Sequence, residues 1–447
     1  MGIEKILVAN RGEIAQRAIR TIKELGKKAV AIYSSADKNA SYLQQADEAI
    51  CIGPEKSKDS YLNIPAIISA CEISEADAVF PGYGFLSENQ AFVEICKLHE
   101  INFIGPSAEL MAMMSDKSKA KDVMAKSGVP VIPGGSESIV KDVSHAKAVA
   151  KEIGYPVILK ASAGGGGRGM RMVEEESQIK NSFLAAEAEA VTGFGDGTIY
   201  IEKFIRDPRH IEVQVMGDKH GHAIHFGERD CSLQRRHQKV VEEAPALFLS
   251  EETRANLLAT AVKATKAIKY YGAGTFEFLV DDDQNFYFLE LNTRLQVEHT
   301  VSEMIADVDM VELMIKVAEG GHLPAQEEIE IRGHSIECRI AAEDPNRFIP
   351  CPGVVKTWNI PGGKDVRLDS HVYAGYEVPQ FYDSMIGKLI VKADTRKKAI
   401  AKMKRALGEF EVEGINTTID FHKKIMDNKD FKDNNFNTGY LEKFLSL

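Results

Sequence analysis

A run of glycines and a pair of strand glutamates are the features of this chain best suited to chemistry. GGGGRG at 164–169 formally satisfies G-x-G-x-x-G, but MRMV after it reads as a strand, where a dinucleotide fold needs a helix. Met170 and Arg171 stand where a Walker loop needs Lys and Ser or Thr. What remains is a glycine turn between two antiparallel strands, whose bare amides can close over phosphate oxygens. A hairpin without a ligand is the alternative. Lys160, on the incoming strand, adds a point charge for a phosphate.

TFEFLV (275–280) and NFYFLELNTR (285–294) read as two strands joined by a polar turn. Period two puts Phe286, Phe288, Glu290 and Asn292 on one face. An acid among aromatic residues is costly unless something neutralises it. If the register pairs Glu277 with Glu290, a divalent cation between them relieves the repulsion. The all-oxygen set Glu277, Glu290 and Asn292 suits Mg²⁺ or Mn²⁺ rather than zinc. Two carboxylates on a solvated face are the alternative. Alternation carried on through TRLQVEH places Arg294, Gln296 and Glu298 beside the metal, a cation for an anionic substrate and a candidate base. Arg235, Arg236, His237 and Lys239 form a basic run, which taken alone reads as a solvated face. His220, His222 and His225 flank the turn GDKHG and read as surface rather than as metal ligands.

Several elements must position these groups. At 447 residues the chain is too long for one core, and roughly two to four domains are expected. Residues 5–104 alternate strands (KILVA, KAVAIYS, DEAICIG, DAVFPG, NFIGP) with helices, one of them over about 13–25, predicting a parallel βαβ sheet. The turn Asn10-Arg11-Gly12-Glu13 joins strand to helix, a usual ligand position, but with one glycine it reads first as a plain tight turn. Breakers at Gly128, Pro130, Pro133 and Gly134 suggest a boundary. Helices are expected near 144–153, 177–190, 251–270, 302–319 and 396–409, with later strands at HSIECRI and KLIVKA. The net charge of −11 argues against nucleic-acid or anionic-membrane binding. Six scattered cysteines without a C-x-x-C pair suit reduced thiols. No apolar run is long enough for a bilayer, and no signal-type stretch precedes KILVAN, so a cytoplasmic location is expected.

Lys160, the glycine hairpin, EKFI, Glu277 and Glu290-x-Asn292 together resemble the ATP-grasp ligases, and within them the biotin carboxylase family. KASAGGGGRGMR (160–171), ERDCSLQRRHQKVVEEAP (228–245), GAGTFEFL (272–279), ELNTRLQVEH (290–299), RGHSIECRIAAEDP (332–345), YDSMIGKL (382–389) and VFPGYGFLSEN (79–89) carry the likeness across essentially the whole chain. It implies an α/β and α+β multidomain fold: an N-terminal parallel, Rossmann-like domain at 1–114, ATP-grasp lobes at 115–330 with a lid at about 131–203, and a C-terminal domain with antiparallel sheet at 331–447. It also implies roles. Lys117, Lys160 and His210, with the backbone of Gly164, Gly165, Gly166, Gly167 and Gly169, would contact ATP phosphates. Glu202, Lys203, Ile205, Gln234 and His237 would line the adenosine site. Glu277 and Glu290, with Asn292, would hold magnesium. Bicarbonate would lie against Lys239, Arg294, Gln296 and the Val297 backbone, with Glu298 as base. Tyr83 and Arg339 would meet the biotin ring, although Arg339 shares a strand face with Glu337 and a structural ion pair is the other reading.

The resemblance further implies a homodimer, for which Arg20, Glu24 and Arg367 match, while Lys364 replaces an expected aromatic residue. A-M-K-M is missing, and Lys402-Met403-Lys404 lies inside a helix. Biotin is therefore expected on a separate carrier protein, with carboxyltransferase subunits as further partners. The stand-alone subunit of multisubunit acetyl-CoA carboxylase, serving fatty acid synthesis, is the default reading. The biotin carboxylase subunit of a pyruvate or other acyl-CoA carboxylase, or another ATP-grasp ligase, is the alternative.

Overall fold

The structure is a computed structural model that describes residues 2–161, 170–194 and 196–445, without the side chains of residues 117–118, 135–138 and 193–194. The glycine run and the Lys117 side chain fall outside the described residues. The chain divides into two compact units, Met1–Ser115 with Arg209–Glu277 and Leu291–Leu447, and Asp116–Pro208 with Phe278–Glu290.

The first unit opens with a parallel sheet, in the order Glu48–Gly53, Lys28–Ser34, Lys5–Val8, Ala78–Phe80, Asn102–Phe103. Both faces are covered. Ile6 and Val8 enter one core and Leu7 and Ala9 another, which is why KILVA is continuously apolar. The helix Gly12–Glu24 buries Ile14, Ala18, Ile19 and Ile22 in the first of these cores. Gly12 begins it at φ +71, a conformation that side chains disfavour and that turns the chain sharply from strand into helix.

A second sheet of this unit runs Gly272–Val280, Arg209–Gly217, Ala223–Arg235, Gln238–Ala244, His334–Ala341, Met385–Ala393, Val366–Asp369. From Arg209–Gly217 onward each neighbouring pair is antiparallel. The helix expected over 302–319 is two helices, His299–Ala306 and Met310–Ala318. Asp307 takes the left-handed conformation that ends the first, and the Asp309 carboxylate accepts from the Glu312 amide at 2.9 Å to start the second.

The second unit has its own sheet, ordered Gly134–Val140, Ile199–Lys203, Val157–Ala161, Met170–Val173, all antiparallel. Val157, Leu159, Ile199 and Ile201 pack there against Ile179 and Phe183 of the helix Glu176–Phe194 and Ala146 and Ala150 of the helix Val143–Ile153. Lys160 pairs with Met170 and Val157 with Val173, so the strands on either side of the glycine run are hairpin partners as predicted. All six cysteines are free thiols. Among the described residues no helix is long and apolar enough to cross a membrane.

Candidate active site

The strand Arg209–Gly217 is fully buried, yet it carries His210, Glu212 and Gln214 at alternate positions. Period two places these three on one face, and buried polar groups there need partners. Glu277, on Gly272–Val280, supplies the first. Its Oε1 accepts from Lys239 Nζ at 2.9 Å, Asn292 Nδ2 at 2.8 Å and Gln296 Nε2 at 2.8 Å, and its Oε2 lies 3.1 Å from His210 Nε2. Burial alone would push the Glu277 carboxyl up, but Lys239 and His210 hold it well below the usual carboxylate range.

Lys239 is the hub. Besides Glu277 its ammonium meets Glu212 and lies 2.8 Å from Glu298 Oε1. Burial would favour the neutral amine, but Glu212, Glu298 and Glu277 keep it firmly protonated. Glu298 is 2% exposed and is gripped from both sides, because Arg339 Nη2 donates to its Oε2 at 2.8 Å. Burial and Glu212 oppose ionisation of Glu298; Lys239, Arg339 and Arg229 outweigh them and lower its pKa. Arg339 also donates from Nε to Glu242 at 2.6 Å. The ion pair weighed for Arg339 is therefore made with Glu242 and Glu298, whereas Glu337 accepts from the Thr300 hydroxyl.

Alternation does not continue past Asn292, where the strand ends. Residues 293–298 instead turn, held by Glu88 Oε1 accepting from the Thr293 amide at 3.1 Å and by Lys388 Nζ donating to the Val297 carbonyl at 2.7 Å. The turn still presents Arg294, Gln296 and Glu298 usefully. Arg294 pairs with Glu88 at 2.9 Å and donates to Asn292 Oδ1 at 3.0 Å. Gln296 accepts from buried Arg229 at 2.7 Å while donating to Glu277. Thus His210, Lys239, Glu277, Asn292, Arg294, Gln296, Glu298 and Arg339 form one bonded cluster in the first unit. Tyr83 donates its hydroxyl to Glu13, and its ring lies 5.9 Å from Lys388 Nζ.

Two other predicted residues of the first unit, Gln234 and His237, have different surroundings. Gln234 donates to the Cys231 carbonyl, and His237 is exposed at a hairpin turn with φ +65. That turn splits the basic run: Arg236 and His237 face solvent while Lys239 turns inward. In the second unit Lys160 and Lys121 both reach the buried carboxylate of Glu202. Lys203 donates to the Gly154 and Tyr155 carbonyls at 2.8 and 3.0 Å, and Ile205 is buried. Glu290 is half-buried on the strand Phe286–Asn292.

Glu277, kept ionised beside the Asn292 amide, offers the oxygen chemistry that hard divalent cations take, so these residues fit Mg²⁺ or Mn²⁺. Four further residues escaped the sequence reading: Glu212, Arg229, Glu242 and Lys388. A signal for two of them was present, a polar row at every second position of HIEVQ and a lone lysine inside the apolar strand MIGKLIV.

The chain is similar to known proteins along almost its whole length. Residues 2–111 match the family described as biotin carboxylase, N-terminal domain; residues 116–326 the carbamoyl-phosphate synthase L chain, ATP binding domain; and residues 337–443 the biotin carboxylase C-terminal domain. The chain is 51% identical to biotin carboxylase 1 of Bacillus subtilis over 99% of both chains. It is 63% identical to the biotin carboxylase–β,γ-ATP complex of Campylobacter jejuni, with a TM-score of 0.90 over 99% of both chains. It is 49% identical to the biotin carboxylase domain dimer of Hydrogenobacter thermophilus 2-oxoglutarate carboxylase, solved with MgADP, ADP and bicarbonate, with a TM-score of 0.88 over 99% of this chain and 98% of that one.

Proposed function

The chain belongs to the biotin carboxylase family of ATP-grasp ligases, enzymes that use ATP to carboxylate biotin, and from that premise we propose how its residues divide the work. One observation carries the assignment of the base. Glu298 is buried, ionised and held by two cations, one on each oxygen. An anion arriving between Lys239 and Arg339 competes for those cations and releases the carboxylate to take its proton.

Bicarbonate lies against Lys239, Arg294, Gln296 and the Val297 backbone. Glu298 removes its proton, and a bicarbonate oxygen attacks the γ-phosphorus in line as the bond to ADP breaks, forming carboxyphosphate. Lys160, Lys117 and His210, with the glycine run 164–169, neutralise the phosphoryl oxygens. Glu277, Glu290 and Asn292 would hold Mg²⁺ or Mn²⁺, which would supply further positive charge for the transferred group. Glu202, Lys203, Ile205, Gln234 and His237 hold the adenosine. Carboxyphosphate gives carbon dioxide and phosphate, the phosphate takes the ureido proton, and the ring nitrogen adds to carbon dioxide. Tyr83 and Arg339 hold the biotin ring, Arg339 against the developing ureido oxyanion.

The catalytic cycle uses domains at 1–114, 115–330 and 331–447, with 131–203 as lid. Biotin comes on a carrier protein, and carboxyltransferase subunits take the product, with acetyl-CoA as acceptor. A 2-oxoglutarate carboxylase among the similar structures keeps other acceptors in view. A homodimer is supported by the dimeric Hydrogenobacter domain and by Arg20, Glu24 and Arg367, which line one hollow with Arg17 and Glu303. The setting is cytoplasmic.

The test is ATP hydrolysis measured with and without bicarbonate and free biotin. Turnover that requires bicarbonate and rises with biotin is expected. Turnover indifferent to bicarbonate, or a small amine acting as acceptor in place of biotin, rejects the reading.

A further inference from the structure

Among the described residues, no hydrogen bond or ion pair joins the first strand-to-helix turn, Asn10-Arg11-Gly12-Glu13, to a residue assigned to ATP or bicarbonate, yet the turn is heavily engaged. Asn10 Nδ2 donates to the Pro81 carbonyl and to the Tyr83 carbonyl, each at 2.8 Å. Asn10 Oδ1 in turn accepts from the Arg11 amide at 2.8 Å. Arg11 anchors the turn by a two-point pair with buried Asp37, at 2.6 and 2.7 Å. Two residues on, Glu13 Oε1 accepts from the Tyr83 hydroxyl and lies 3.2 Å from Lys388 Nζ. The turn therefore holds Tyr83 at both ends, by its backbone and by its phenol. Gly82 shows how close the approach is, since a Cβ there would come within 3.0 Å of Asn10 Nδ2 and Ile14.

Lys388 carries the connection onward. It is fully buried, and its third contact is the Val297 carbonyl at 2.7 Å, one peptide away from Glu298. Lys388 stands opposite Arg339 on the neighbouring strand, and Glu337 stands opposite Glu242. Arg339, Lys388 and Glu337 grip Glu298, the Val297 carbonyl and Thr300 respectively, so one sheet face templates the segment 297–300. A buried lysine paired with an acid that has one oxygen unpartnered is expensive to keep. It favours a positional task over stability.

We propose that Glu13 and Lys388 are positioning residues that tie Tyr83 to the Val297–Glu298 peptide, so that the biotin contact and the bicarbonate base share one frame. This rests on the roles proposed above for Tyr83 and Glu298. Because the coupling runs through hydrogen bonds, disturbing the Tyr83 end changes how bicarbonate is used even when biotin is absent.

The experiment follows bicarbonate-dependent ATP cleavage by the full chain without biotin, then with free biotin. Absence of bicarbonate dependence in the parent would reject the proposed function itself and is read first. Tyr83→Phe keeps the packing of a half-buried ring and removes only the hydroxyl. It should raise the bicarbonate KM at least threefold without biotin, leaving the ATP KM within twofold. Lys388→Met and Glu13→Met should lower kcat/KM for bicarbonate tenfold or more, whereas Glu13→Gln, which keeps an acceptor oxygen, should lose less than fivefold. An unchanged bicarbonate KM in Tyr83→Phe overturns the proposal, whether or not the methionine variants fold. Equal losses in Glu13→Gln and Glu13→Met also overturn it, as does an ATP KM that rises in step with that for bicarbonate.

Discussion

Arg339 Nη2 lies 2.8 Å from Glu298 Oε2, so the group assigned to biotin's developing oxyanion and the group assigned as base neutralise each other. Two roles that act at successive stages are joined by one ion pair. In the proposed mechanism carboxylation requires the pair to part, and the incoming anion parts it. The same contact keeps Glu298 ionised, so the base is ready before substrate arrives.

Glu298→Gln should lower bicarbonate-dependent turnover by about 10²- to 10⁴-fold, the usual contribution of a general base. Nucleotide affinity, read by a fluorescent ATP analogue, should change little. Undiminished turnover would remove Glu298 from the mechanism.

Arg339→Met should depress biotin-stimulated turnover far more than ATP cleavage without biotin. It should also shift a pH profile. Lys239 and Arg339 lower the Glu298 pKa against burial, and losing one of them raises it. The acidic limb of bicarbonate-dependent ATP cleavage should therefore move to higher pH in the variant. An acidic limb at its original pH would mean that another group controls it.

Lys160→Met should raise the KM for ATP by about 10- to 100-fold, the loss expected for a charged hydrogen bond of roughly 1.5–3 kcal/mol. Equal increases in the KM values for ATP and bicarbonate would argue against a phosphate contact.

Two buried histidines should each lower stability on mild acidification, against the opposite pull of Glu13 and Glu337, whose carboxyls burial raises to about 7. Burial holds the His422 imidazole down at about 4, and burial with Arg11 nearby holds His371 at about 3. Both are neutral when folded and titrate near 6.5 when unfolded, so the unfolded chain binds more protons below that pH. Their stabilising effect is complete above 6.5 and is lost as pH falls toward 4 and 3. Each contributes a slope of roughly 1.4 kcal/mol per pH unit. His422→Gln, which keeps a donor for the Arg339 carbonyl, should flatten the decline seen in urea midpoints between pH 6.5 and 5. An unaltered slope would contradict this assignment.

Sequence reasoning reached furthest where local periodicity and function coincide. Glu277, Asn292 and the strands around the glycine run follow from alternation, and KILVA from a sheet covered on both faces. Arg294, Gln296 and Glu298 were found by extending an alternation that the chain abandons after Asn292, and it is Glu88 and Lys388 that shape the turn replacing it. Those two lie 205 and 91 residues away in sequence from their partners, a separation that no local pattern reports. Glu242 looks like an ordinary strand acid, and only its place opposite Glu337 and its bond from Arg339 give it meaning. The break at Asp307 hides in a continuous apolar period, because left-handed caps on non-glycine residues carry little compositional signature.

The division of the chain also dictates a schedule for its synthesis. The four-stranded sheet of the second unit lies wholly within 134–203, so it can close while the ribosome is still translating the middle of the message. The first unit must wait. Arg17 finds Glu303 only 286 residues later, and Ser41 bonds the His371 carbonyl across 330. The helix Gly12–Glu24 therefore emerges long before its partner Glu303 and matures after it, with Arg17 uncompensated in the interval. That interval is where a nascent chain of this design most needs a chaperone.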